Sequence, residues 1–116
     1  IRIVAAPDAR EAYGRFPCDR HSDRSDLEEA FGDSVDFGMC PAKDTAWSPH
    51  HREDMAHLDV RVARFVGDVL RRPESHIFVV SHGVFMETAI RQLASSYPGY
   101  RSDDRVHNCD VHCFVF

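Results

Sequence analysis

The chain has 116 residues, 43% of them hydrophobic and 28% charged, which is enough for one core and ordinary for a globular domain. A formal net charge of -5 without a basic stripe argues against nucleic acid as a partner, although a phosphate site can be locally basic inside an acidic surface. No apolar run approaches the roughly twenty residues that a membrane helix needs.

Ile1 to Ala6 reads as a short apolar strand, and Pro7-Asp8-Ala9-Arg10-Glu11 leaves it with a carboxylate after a turn. Glu11 is a candidate general acid, set against the plainer reading of a solvated loop glutamate. Ser25-Asp26-Leu27-Glu28 has the capping-box pattern and predicts a short helix. A longer helix is signalled by Ser48 as N-cap and Pro49 at the first helical position. Met55, Leu58, Val62, Phe65, Val66 and Val69 then recur at helical spacing as a core-facing stripe. Arg71 and Arg72 complement the carboxyl end of the helix dipole, and Pro73 stops the helix.

Ile77-Phe78-Val79-Val80 is β-prone and apolar, it ends in Ser81-His82-Gly83, and an amphipathic stretch from Val84 to Leu93 follows. A parallel strand that runs through a polar turn into a helix puts functional groups at its carboxyl end. The N–H groups of the helix start favour an anion there, and His82 can add a charged donor. Tyr97 to Asn108 is polar and turn-rich, and Val111 to Phe116 reads as a final strand. The order strand, loop with short helix, long helix, strand, helix, strand predicts an α/β fold, and the right-handed crossover rule makes its sheet parallel. Without a repeat, linker or low-complexity segment, residues 1–116 form one domain or the greater part of one.

Cys18, Cys40, Cys109 and Cys113 form no Cys-x-x-Cys pair, so no structural zinc site is expected. Cys109 and Cys113 lie too far apart along a strand for an easy bridge. Free buried thiols in a reducing compartment, the cytoplasm or an organelle matrix, are the expectation. His50 and His51 are adjacent, and adjacent residues on a helix diverge too far to share a metal. They read as solvated helix-start histidines, and no metal or cofactor is expected.

Several motifs occur in an order that resembles a known family. Arg10-Glu11 precedes Gly14 and Pro17-Cys18-Asp19-Arg20, and Val35-Asp36-Phe37 follows. Asp44, Trp47, Pro49, Arg52 and Glu53 then fit an Asp-x-x-Trp-x-Pro-x-x-Arg-Glu pattern. Arg72-Pro73-Glu74, Ser81-His82 and Asn108-Cys109-Asp110 complete the series. Together these elements resemble the histidine phosphatase, or phosphoglycerate mutase-like, superfamily, and more closely its eukaryotic branch in plants and fungi. The resemblance runs from about Ile3 to the carboxyl end.

The resemblance implies a three-layer α/β/α fold with a mainly parallel sheet, and this chain would lack the N-terminal strand and helix. It implies that His82 holds the phosphoryl oxygens, that Glu11 protonates the departing oxygen, and that Gly83 and Arg10 join His82 in binding phosphate. Fixed cationic donors stabilise a phosphoryl group in flight, and a leaving alkoxide needs a proton. The family's nucleophile is a histidine in Arg-His-Gly, a motif this sequence lacks. Its one Arg-His pair, Arg20-His21, precedes Ser22 with no strand before it and is not read as the nucleophile. Glu87 stands where many relatives carry an arginine, which lowers the positive field. The expected function is therefore hydrolysis or transfer of a phosphoryl group of a small phosphomonoester through a phosphohistidine. The alternative is an inactive phosphatase-like subunit packed in a larger assembly. On either reading, an upstream N-terminal segment or another protein subunit is expected to cover the sheet edge.

Overall fold

The computed structural model describes residues 1–95 and 105–116. Among the described residues three α-helices carry the architecture: α1, Arg24–Phe31; α2, Met55–Leu70; and α3, Gly83–Ala94. Single 3-10 turns lie at Pro7–Ala9, Pro17–Asp19 and Gly32–Ser34. Helix α2 packs along α3 and against the Pro7–Ala9 turn.

The core is small and sits at that junction. Leu58 and Val62 of α2 and Phe85 of α3 are fully buried, joined by Ala12 and Ala89. Phe65 meets Phe85 edge-on, with ring centroids 5.4 Å apart and planes at 76°. Burying side chains of this size contributes roughly 1.5–3 kcal/mol each. The predicted stripe of α2 therefore faces inward through its centre, while Met55 at its start is exposed. Helix α3 also follows its predicted span within one residue at each end, with His82 as its N-cap.

The parallel sheet of the expected three-layer α/β/α fold is not formed. Among the described residues the β-structure consists of two isolated bridges, Val4 with Asp36 in parallel and Gly14 with Arg52 antiparallel. Ile1–Ala6 keeps one bridge, through Ala5 N to Asp36 O and Asp36 N to Ile3 O, both 2.9 Å. Ile77–Val80 and Val111–Phe116 form no ladder, and Phe78, Val80, Val111 and Val115 are 89%, 93%, 91% and 81% exposed. The reason lies in what makes a strand: β-propensity expresses packing against cross-strand neighbours, so an apolar β-prone run does not by itself make a ladder.

Two helix starts also differ from expectation. Helix α2 begins at Met55, because Asp54 caps it by accepting from His57 N at 2.8 Å. Ser48 is used elsewhere: its carbonyl accepts from Arg15 N at 2.7 Å and its hydroxyl from His50 N at 3.2 Å. Glu53 N bonds Tyr13 O at 2.8 Å, so the chain before α2 lies extended across the Tyr13–Arg15 loop. His50 and His51 are exposed in that extended approach, ahead of the helix start. Helix α1 starts at Arg24 with Asp23 as N-cap, and the Ser25 hydroxyl turns to Asp26 instead of closing a capping box. Gly14, at φ +94°, faces the His51 carbonyl so closely that a Cβ there would lie 2.1 Å from that oxygen. Only glycine fits this crossing. Most of the predicted turn-rich stretch, residues 97–104, lies outside the described residues.

Candidate functional site

Arg61 is the anchor from which the site is built. It stands three residues after Leu58 and four before Phe65, on the buried stripe of α2, where a cation needs satisfied donors. Its Nε and Nη2 bond the two carboxylate oxygens of Glu53 at 2.9 and 2.5 Å. The remaining donors reach the carbonyls of Asp8 at 2.7 Å, Arg10 at 2.9 Å and Glu11 at 3.3 Å. The guanidinium also stacks over Tyr13 and Phe85, 5.4 and 5.7 Å from their ring centroids. One side chain thus fixes the backbone that presents Arg10 and Glu11.

Glu11 and His82 meet at the start of α3. The Glu11 carboxylate accepts from Val84 N and Phe85 N, both at 3.1 Å, and from its own neighbour Ala12 N at 2.8 Å. The Ser81 hydroxyl donates to the Ala9 carbonyl, so hydrogen bonds join both flanks of His82 to the Ala9–Glu11 segment. The helix-start N–H groups expected to receive an anion are therefore occupied by the protein's own carboxylate, a favourable position for negative charge. His82 is exposed, and a Cβ built on Gly83 would meet nothing within 4 Å, so the turn opens on free space.

Arg10 is held on the other side of this segment. Its two terminal nitrogens bind Asp44 Oδ1 at 2.9 Å and Oδ2 at 2.7 Å, and one also donates to the Asp19 carbonyl. Only 9% of the Arg10 side chain and 2% of the Asp44 side chain are exposed, so the pair is buried and bidentate. Asp44 further accepts from the backbone N–H of His21 at 2.9 Å and of Ala46 and Trp47, each at 3.2 Å. Burial alone would push the Asp44 carboxyl up, but the Arg10 guanidinium and the N–H groups of His21 and Trp47 outweigh it and hold it well below the usual carboxylate range. With its terminal nitrogens so engaged, Arg10 keeps one side-chain donor, the buried Nε, without a partner among the described residues.

His21 is the residue that the sequence motifs left aside. It is half-buried, and burial first, then the Arg10 charge, lowers its pKa from the ordinary histidine value. Asp44 opposes that shift, and the charge of His82 adds to it, which places the two imidazoles within electrostatic reach of each other. Arg61 and Asp44 could have been suspected from the sequence as a cation on an apolar stripe and the first residue of the Asp-x-x-Trp pattern. His21 stood out only as half of the Arg20-His21 pair set aside as a nucleophile, and its neighbours Arg10, Asp44 and His82 come from distant parts of the chain. Glu87, further along α3, accepts from Val106 N at 3.3 Å.

Residues 8–116 match the family model of the histidine phosphatase superfamily (branch 1), and the chain belongs to that superfamily. No curated protein and no solved structure matches it.

Proposed function

We propose that this domain binds the phosphoryl group of a small phosphomonoester at the turn where His82, Gly83, Glu11 and Arg10 converge. With a histidine nucleophile in Arg-His-Gly, it would transfer or hydrolyse that group through a phosphohistidine. The observation that supports the reading is the double attachment of the Ser81–Phe85 turn to Ala9–Glu11, which ties the Glu11 carboxylate to the start of the helix that His82 caps. In this reading His82 donates to the equatorial oxygens and Arg10 supplies positive potential behind it. The resemblance gives Glu11 the role of proton donor to the leaving oxygen, which requires its carboxylate to release the Val84 and Phe85 N–H groups and take up a proton.

The 116-residue sequence holds no Arg-His-Gly. The expected result is that this chain binds inorganic phosphate without turning over an aryl phosphate. Any longer form that carries the motif should lose kcat by on the order of a hundredfold on His82→Ala. Phosphate binding by calorimetry that His82→Ala leaves unchanged would refute the site. Aryl phosphate turnover abolished by His21→Ala would refute the statement that this chain has no nucleophile of its own.

A second reading, a phosphatase-like subunit packed against another polypeptide, is favoured by a different observation. Phe78 and Val80, just before the Ser81-His82 turn, expose nearly all of their apolar surface. Co-purification of a partner that protects residues 77–80 from hydrogen exchange tests it.

A further inference from the structure

We infer that His21 is a further phosphate ligand of this site, its imidazole donating a hydrogen bond to the same oxyanion that His82 holds. The inference rests on the phosphate-site reading above and adds to it a residue outside every motif of the resemblance.

The first argument is placement. Ser81 and Val84 flank His82 and are bonded to Ala9 and Glu11, on either side of Arg10 in the chain. His21 is tied to the same arginine from the opposite direction, since its N–H binds Asp44, which Arg10 clamps, and Arg10 also binds the Asp19 carbonyl. Both histidines are thus hung from the neighbourhood of one guanidinium.

The second argument is a census of donors. Val84 N and Phe85 N are taken by Glu11, the terminal nitrogens of Arg10 bind Asp44 and Asp19, and Arg61 is spent on Glu53 and three carbonyls. The imidazoles of His21 and His82 make no hydrogen bond to any described residue. Arg10 Nε is buried without a partner among the described residues, so an oxyanion entering here finds side-chain donors in the two histidines and in that one guanidinium nitrogen.

The third argument is charge. The groups facing His21 are Arg10, Asp44, His82 and Arg61. Burial and the Arg10 charge favour its neutral form, and the Asp44 carboxylate that opposes them is already neutralised by Arg10. A bound dianion reverses that local field and favours the imidazolium, so binding draws a proton onto His21. Affinity for a dianion should then rise as pH falls.

Sulfate tests this, because it remains a dianion where inorganic phosphate changes charge. The His21 resonance, assigned by its absence in His21→Asn, is followed by NMR against pH with and without saturating sulfate. The substitution keeps the backbone N–H that binds Asp44. The expected result is a higher His21 pKa with sulfate, and affinity for sulfate at pH near 6 that drops tenfold or more in His21→Asn, as for loss of a charge-assisted hydrogen bond. If sulfate and phosphate bind but the His21 titration is unmoved and His21→Asn binds equally well, the inference fails while the phosphate site stands. If neither anion binds the native protein, the phosphate-site reading fails, and the inference fails with it.

Discussion

Replacing Arg61 by methionine tests whether one buried cation holds the site together. The methionine fills much of the same volume but donates nothing. Glu53, 2% exposed, would be left as an unpaired buried carboxylate, and the carbonyls of Asp8, Arg10 and Glu11 would lose their donors. Removing one partner of a buried ion pair costs about 3–5 kcal/mol. Domains of this size have only about 5–15 kcal/mol in total, so Arg61→Met should remove roughly a fifth of the stability or more. Adding Glu53→Leu should recover on the order of 1–3 kcal/mol, because the orphaned carboxylate disappears. The recovery is incomplete, since the three carbonyls remain unpaired. Urea unfolding followed by circular dichroism measures the native protein, Arg61→Met, Glu53→Leu and the double variant. A single variant within about 1 kcal/mol of the native protein, or a double variant as unstable as the sum of the singles, would refute the buried-anchor argument.

Asp44→Asn should lower stability at neutral pH and flatten the acid limb of a stability curve. The folded-state pKa of Asp44 is depressed, so its contribution is fully present above the unfolded value of about 3.9 and is lost as pH falls through the folded one. Glu11→Ala should cost about 0.5–2 kcal/mol through loss of the acceptor at the start of α3, whereas Glu11→Gln should retain most of it, both read from thermal melts. Gly14→Ala should destabilise by roughly 1–3 kcal/mol in the same assay, since the left-handed backbone and the His51 carbonyl both oppose a Cβ.

What could be read from the sequence was what depends on near neighbours. Helix α3 and the centre of α2 follow from periodicity, because Leu58, Val62 and Phe85 bury the same faces that their spacing marks. Contacts between distant residues were illegible. Ser48 has every local mark of an N-cap, but Arg15 takes its carbonyl and Asp54 caps the helix instead. The apolar runs at Ile77–Val80 and Val111–Phe116 were read as strands although a strand is defined by its partner. At the site, the family resemblance marked Glu11, Arg10 and His82. That the Glu11 carboxylate occupies the start of α3, and that His21 comes within range of His82, required the fold.

The hydrogen bonds of the site span long stretches of chain: 34 residues from Arg10 to Asp44, 51 from Arg10 to Arg61, 72 from Ala9 to Ser81 and 73 from Glu11 to Val84. Each must close a large loop before it returns any stability, so helices α2 and α3 can form early while the pocket assembles last. No fragment shorter than about Asp8 to Phe85 can carry the site, because its parts lie up to 74 residues apart in the chain. An anion that settles there binds only the assembled chain, and it therefore stabilises every element at once by mass action. The site thus doubles as a reporter of whether the segments from Asp8 to Phe85 have come together.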